Sequence, residues 1–182
     1  KGFRTIRFMD WGLTNVTKLA NWDDRPRRGD ATWSGPNGVP FEPMLELAER
    51  AGADPWITLS PYVNDDFVSR FGRRVKEKLA AGRTLILEYG NEPWNYGFSA
   101  SSWMRDQAVA KWPEAVAKGE SPYLLQYSWY AMRSAQVCQM VKAQFGAEAS
   151  RVKCVLNSQA SNSWVAEQML ACTFAAAELG RP

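Results

Sequence analysis

Four short β-prone runs, each followed by a polar exit and then a stretch of helical spacing, constrain this chain more than any other feature. Thr5-Ile6-Arg7-Phe8-Met9 leaves through Asp10-Trp11-Gly12, and Pro55-Trp56-Ile57-Thr58-Leu59 leaves through Ser60-Pro61-Tyr62. Thr84 to Tyr89 leaves through Gly90-Asn91-Glu92-Pro93, and Val152 to Leu156 through Asn157-Ser158-Gln159. Helices are expected from Glu42 to Ala51, from Asn64 or Asp65 to Ala81, from Ser99 to Ala117 with a break at Pro113, from Pro122 to Phe145, and from Ser163 to Leu179. Residues 12 to 40 are rich in Gly, Pro, Asn and Asp and form one long loop. Strands alternating with helices predict an α/β fold with a parallel sheet and crossover helices.

In such sheets ligands bind at the carboxyl ends of the strands, where the polar residues of this chain gather. No GxGxxG or GxxxxGK[ST] follows any strand, so nothing supports a nucleotide cradle. Four strand–helix units fall short of the eight in a (β/α)8 barrel, and the sequence opens at Lys1 with neither Met nor a signal-like segment. The expectation is a single partial domain over residues 1–182, truncated at both ends.

Histidine is absent, which removes Ser-His-Asp, Cys-His and His-ligated metal chemistry from these residues and leaves acid/base work to carboxylates, Tyr, Lys or Cys. Cys138, Cys154 and Cys172 form no CxxC pair and read as small buried hydrophobes, neither a zinc site nor a disulfide framework. The net charge of +3 is spread thinly, and its densest spot, Arg25, Arg27 and Arg28, is flanked by Asp23, Asp24 and Asp30. It reads as a solvated loop, so nucleic acid is not an expected partner. No apolar run approaches the ~20 residues of a membrane helix, so no membrane partner is expected. Of the nine Trp, several stand beside turn formers, among them Trp11, Trp22, Trp33 and Trp94. Such rings either build a ligand platform suited to the C–H face of a sugar or close small aromatic cores under long loops.

The third strand places Asn91 and Glu92 side by side at its tip, followed by a Pro that ends pairing. A Glu walled by Tyr89, Trp94 and Tyr96 would lose solvation, as a general acid near neutral pH requires, unless it merely caps a loop or pairs with Arg7 or Arg105. The stretch Leu87-Glu88-Tyr89-Gly90-Asn91-Glu92-Pro93-Trp94-Asn95 resembles the Asn-Glu-Pro signature of glycoside hydrolase clan A, and Gly2 to Phe8 resembles that clan's Arg-bearing second strand. The resemblance spans nearly the whole chain. It implies a fragment of a (β/α)8 TIM barrel covering strands two to five, and a retaining glycosidase acting on a β-linked oligo- or polysaccharide. It also implies Glu92 as the acid/base, Asn91 as the contact to the sugar 2-hydroxyl, Arg7 as the charge partner in the site, and no metal or organic cofactor.

Two departures from the pattern stand out. Ser60-Pro61-Tyr62 occupies the place where many members carry His, and the nucleophile, a Glu of the seventh strand, has no counterpart here. Glu88 cannot replace it: four strand residues separate it from Glu92 by roughly 13 Å, against the 5 to 5.5 Å that retaining chemistry requires. Glu88 reads as a buried residue satisfied by hydrogen bonds or by Arg7. Trp94 and Trp11 are the expected stacking rings, and Tyr62 and Asn157 are further substrate candidates. Asp10, Asn64, Asp65 and Gln159 share the strand ends, with loop or capping roles equally open to all of these flanking residues. Two rivals remain. One is a non-catalytic carbohydrate-binding protein on the same scaffold; the other is a barrel enzyme using Glu92 beside a metal. Extracellular placement suits polymer hydrolysis, though no segment encodes it.

Overall fold

The structure is a computed structural model that describes residues 2–180; Lys1, Arg181 and Pro182, which the expected 1–182 domain includes, lie outside the described residues. It is an α/β fold in which β1 (Thr5–Arg7), β2 (Asp54–Leu59), β3 (Leu85–Tyr89) and β4 (Val152–Val155) form one wholly parallel sheet in sequence order. Six helices accompany it: α1 (Phe41–Arg50), α2 (Asp65–Lys78), α3 (Ser99–Lys111), α4 (Pro113–Ala117), α5 (Pro122–Phe145) and α6 (Ser163–Ala171). The described residues divide into two compact units, 2–91 with 137–155 and 92–136 with 156–180, the division passing through α5.

The first unit holds the sheet, α1, α2 and the last turns of α5. Strand alternation sends Ile57, Leu59, Leu85, Leu87 and Tyr89 to one face, where they are at most 5% exposed. Asn64 starts α2 as an N-cap, its Oδ1 accepting the Phe67 N–H at 2.8 Å, so this strand-end Asn serves the backbone. Midway along α2, Gly72 lets α5 approach closely. A Cβ there would sit 3.1 Å from Val141 Cα and 3.0 Å from Gln144 Cγ. The helical tendency of this stretch thus tolerates a weak helix former because packing requires it.

The second unit is helical. Trp112 ends α3 and Pro113 opens α4 at its first position, where the missing N–H is harmless. Along α5 every residue from Leu125 to Met132 is buried. A helix enclosed on all sides needs partners for its polar side chains: Gln126 Nε2 and Ser128 Oγ have them, while Gln126 Oε1 has none among the described residues.

Three expectations are corrected. Cys138 of α5 and Cys154 of β4 form a disulfide, and Cys172 is a buried thiol outside that bond, donating to the Ser128 carbonyl. The spacing of 16 gave no signal because the pair meets only when β4 folds back beside the end of α5. The basic cluster is not uniformly solvated. Arg25 stacks on Trp22 at 4.3 Å and pairs with the buried Glu42. Burial is the largest influence on its guanidinium and pushes its pKa below the ordinary value, against the pull of Glu42. Trp22 also packs on Phe41 and Phe67, so for this ring the small aromatic core is the correct alternative. Finally, α6 stops at Ala171 instead of reaching Leu179, because Cys172 turns left-handed at φ 47° and two 3₁₀ turns follow.

Candidate active site

Period-two alternation places Arg7 of β1, Trp56 and Thr58 of β2 and Glu88 of β3 on the same face of the sheet, and register brings them together: Arg7 is level with Trp56, and Thr58 with Glu88. Glu88 is 1% exposed. Arg7 Nε and Nη2 donate to it in a forked pair at 2.8 to 3.2 Å, Trp56 Nε1 donates at 2.8 Å and Thr58 Oγ1 at 2.7 Å. The Arg7 guanidinium also lies 5.0 Å over the Trp56 ring. A buried carboxylate survives in the ionised form only with such charge-assisted donors around it. The expectation for Glu88, a buried residue satisfied by hydrogen bonds and Arg7, matches this geometry.

The same Arg7 Nη2 donates to Asn91 Oδ1 at 2.9 Å, and Asn91 Nδ2 donates to Asn15 Oδ1 at 3.0 Å. Asn91 is 5% exposed. Both ends of its amide are therefore engaged, which fixes its orientation while leaving one N–H and one lone pair for another partner. Asn15 comes from the long loop and was not singled out in the sequence, where one Asn among many in a polar loop carries no signal. Tyr89, expected as a wall for Glu92, instead takes the opposite strand face from Glu88, and its hydroxyl donates to the Pro61 carbonyl at 2.5 Å. Trp11 is 42% exposed in a 3₁₀ turn, with its ring edge-on to Phe8 at 5.2 Å. Tyr62 is half-buried, its backbone N–H donating to Ser60 Oγ; Asp10 and Asp65 are exposed in first turns.

In the second unit, Glu92 is half-buried and adopts φ 46°, a left-handed conformation costing a non-Gly residue about 1–2 kcal/mol. Its neighbours enforce that geometry. The Asn95 N–H donates to the Glu92 carbonyl at 2.8 Å, closing a turn. The buried Pro93 carbonyl accepts from Ser101 Oγ at 2.8 Å and Gln126 Nε2 at 2.6 Å, tying the turn to α3 and α5. The carboxylate itself accepts from Asn95 Nδ2 at 2.8 Å. Asn95, Ser101 and Gln126 were missed in the sequence; Gln126, a lone amide inside an apolar helical run, was the one legible clue.

Trp94 is half-buried with its indole N–H enclosed and without an acceptor, so its ring is embedded more deeply than a surface platform. Arg105 lies over Tyr123 at 5.6 Å and not against the Glu92 carboxylate. Asn157 is half-buried, its N–H donating to Tyr130 Oη at 3.0 Å, and Gln159 accepts from the Asn162 N–H through its carbonyl. The site residues expected from sequence thus divide between the units: Arg7, Asn91, Trp11 and Tyr62 in the first, Glu92, Trp94 and Asn157 in the second.

Family models, curated proteins and solved structures yield no match to this chain. Among the described residues no group of three or more His, Cys, Asp and Glu is placed to hold a metal ion, and no helix is long and apolar enough to cross a membrane.

Proposed function

We propose that this chain carries the acid/base part of a retaining glycoside hydrolase acting on a β-linked glycan. The carrying observation is the strained, half-buried Glu92, held by a turn whose every anchor is a side chain or backbone group of its own unit. Strain kept at a carboxylate by buried polar anchors is characteristic of a group positioned for chemistry. The protonated Glu92 gives its proton to the glycosidic oxygen while a Glu outside these residues attacks the anomeric carbon. The C–O bond breaks and a glycosyl–enzyme ester forms. Glu92, now ionised, takes a proton from water as that water attacks the anomeric carbon; the bond from that carbon to the nucleophile's carboxylate oxygen breaks, releasing the sugar and returning Glu92 to its protonated form. Asn95 then supplies a donor that favours the carboxylate, while Asn91, with its amide fixed by Arg7 and Asn15, offers its remaining N–H to the sugar 2-hydroxyl. No step calls for a metal or an organic cofactor.

The sheet supports a (β/α)8 barrel as the setting. Its order follows the sequence without reversal, as in a closed barrel and unlike a doubly wound sheet, and its strands would be strands two to five. The Cys138–Cys154 bond suits an oxidising compartment, and so a secreted polysaccharide-degrading enzyme. The decisive experiment is Glu92→Gln in the protein that also carries the nucleophile. Glycan hydrolysis should fall by about 10²- to 10⁴-fold. Aryl glycosides with good leaving groups should lose less in the first step, since they need no proton. Unchanged hydrolysis would sink the assignment, and retained glycan binding without any hydrolysis in the parent protein would favour the carbohydrate-binding alternative.

A further inference from the structure

The second unit carries a cluster of rings that the proposed chemistry does not use. Tyr96, from the loop after β3, packs against Tyr123 of the first turn of α5 with ring centroids 4.7 Å apart and planes tilted by 47°. Its hydroxyl lies 2.7 Å from that of Tyr127, one turn further along α5, and the Tyr127 ring meets Trp164 of the first turn of α6 edge-on at 6.1 Å. Three of these four rings face solvent: Tyr96 is 45%, Tyr123 43% and Trp164 48% exposed, whereas Tyr127 is buried beneath them. Keeping three large rings in water forgoes burial that folding ordinarily secures.

The patch is not purely apolar. Arg105 lies over the Tyr123 ring, and the two phenols form a hydroxyl pair at its centre. Burial, then the hydrogen bond to Tyr127, push the Tyr96 phenol above its ordinary range, so the Tyr96 hydroxyl stays protonated across physiological pH. Flat ring faces beside hydroxyl and guanidinium donors match a pyranose, which has an apolar C–H face and a hydroxyl edge. The patch is also tied to the proposed catalytic turn. Asn95 holds the Glu92 carboxylate with its Nδ2 while its Oδ1 accepts from the Gly97 N–H at 3.1 Å, so one side chain clamps both ends of the segment that presents Tyr96.

We propose that Tyr96, Tyr123 and Trp164 form a subsite for the sugar units of a linear β-linked glycan beyond the bond that is cleaved. The proposal rests on the glycosidase reading for its choice of occupant. The rings recognise sugar faces, Arg105 and the phenol pair meet hydroxyls, and Asn95 transmits the position of the loop to Glu92.

The test measures binding of β-1,4-linked hexasaccharides of glucose, mannose and xylose to the full-length protein by calorimetry, in a Glu92→Gln background so that the probes persist. At least one probe should bind, and Tyr96→Ala and Trp164→Ala should each weaken it about 3- to 10-fold. Tyr96→Phe, which keeps the ring, should stay within about 2-fold. Leu47→Ala, removing a 40%-exposed apolar side chain of α1, should leave binding unchanged. If Tyr96→Ala fails to fold, the exposed Trp164 decides. Parental affinity in Trp164→Ala, or no binding of any probe, would overturn the subsite, and so would finding that the ring variants abolish only association with another protein. Failure of the acid/base reading is separate: it shows as undiminished hydrolysis by Glu92→Gln, whatever the ring variants do.

Discussion

Glu88 and Glu92 are four residues apart in one strand and its exit, yet their surroundings are opposite. Glu88 sits in extended backbone, 1% exposed, with Arg7, Trp56 and Thr58 all donating to it. Glu92 sits in left-handed backbone, half-buried, and among the described residues its side-chain donor is Asn95. Identity as Glu therefore says little; the number and charge of the donors set the two carboxylates apart.

The sharpest way to test that contrast is Glu92→Gln against Glu88→Gln. The first should remove about 10²- to 10⁴-fold of glycan hydrolysis with little change in melting temperature, and the second should lower stability first. Next in size is Glu88→Ala, which leaves the Arg7 guanidinium without its partner. Denaturant unfolding should show a loss of about 2–4 kcal/mol, moderated because the Arg7 side chain is 36% exposed. Thr58→Val keeps the shape but deletes the hydroxyl donor at 2.7 Å, and should cost about 1–2 kcal/mol by the same measurement. The smallest effect is the most telling. Glu92→Gly relieves the φ of 46° while losing the Asn95 bond, so stability should stay within about 1 kcal/mol although activity disappears. A loss above about 2 kcal/mol would mean that Glu92 is a structural residue and that the contrast with Glu88 is false.

Much of the architecture was legible before any coordinates. The four strands and the span of α5 follow from β-prone runs and helical spacing, and Pro113 marks the α3–α4 boundary as expected. Glu88 was legible too, because a carboxylate on a buried strand beside an Arg-bearing strand has few other fates. Less of the site was readable. Asn15, Ser101 and Gln126 act on residues 76, 8 and 33 positions away; apart from the lone amide of Gln126 in an apolar helical run, no local pattern marks such partners. The Cys138–Cys154 bond and the stacking of Arg25 on Trp22 were hidden for the same reason.

By itself, then, the sequence determined what local physics controls: which segments extend, which coil, and where an Asn-Glu pair meets a strand end before a Pro. Tertiary structure decided which of the two carboxylates is surrounded by donors, that Glu92 turns left-handed, and that three rings of the second unit remain in solvent. Periodicity is carried by neighbours along the chain, whereas donors, strain and exposure depend on groups that only folding brings within reach.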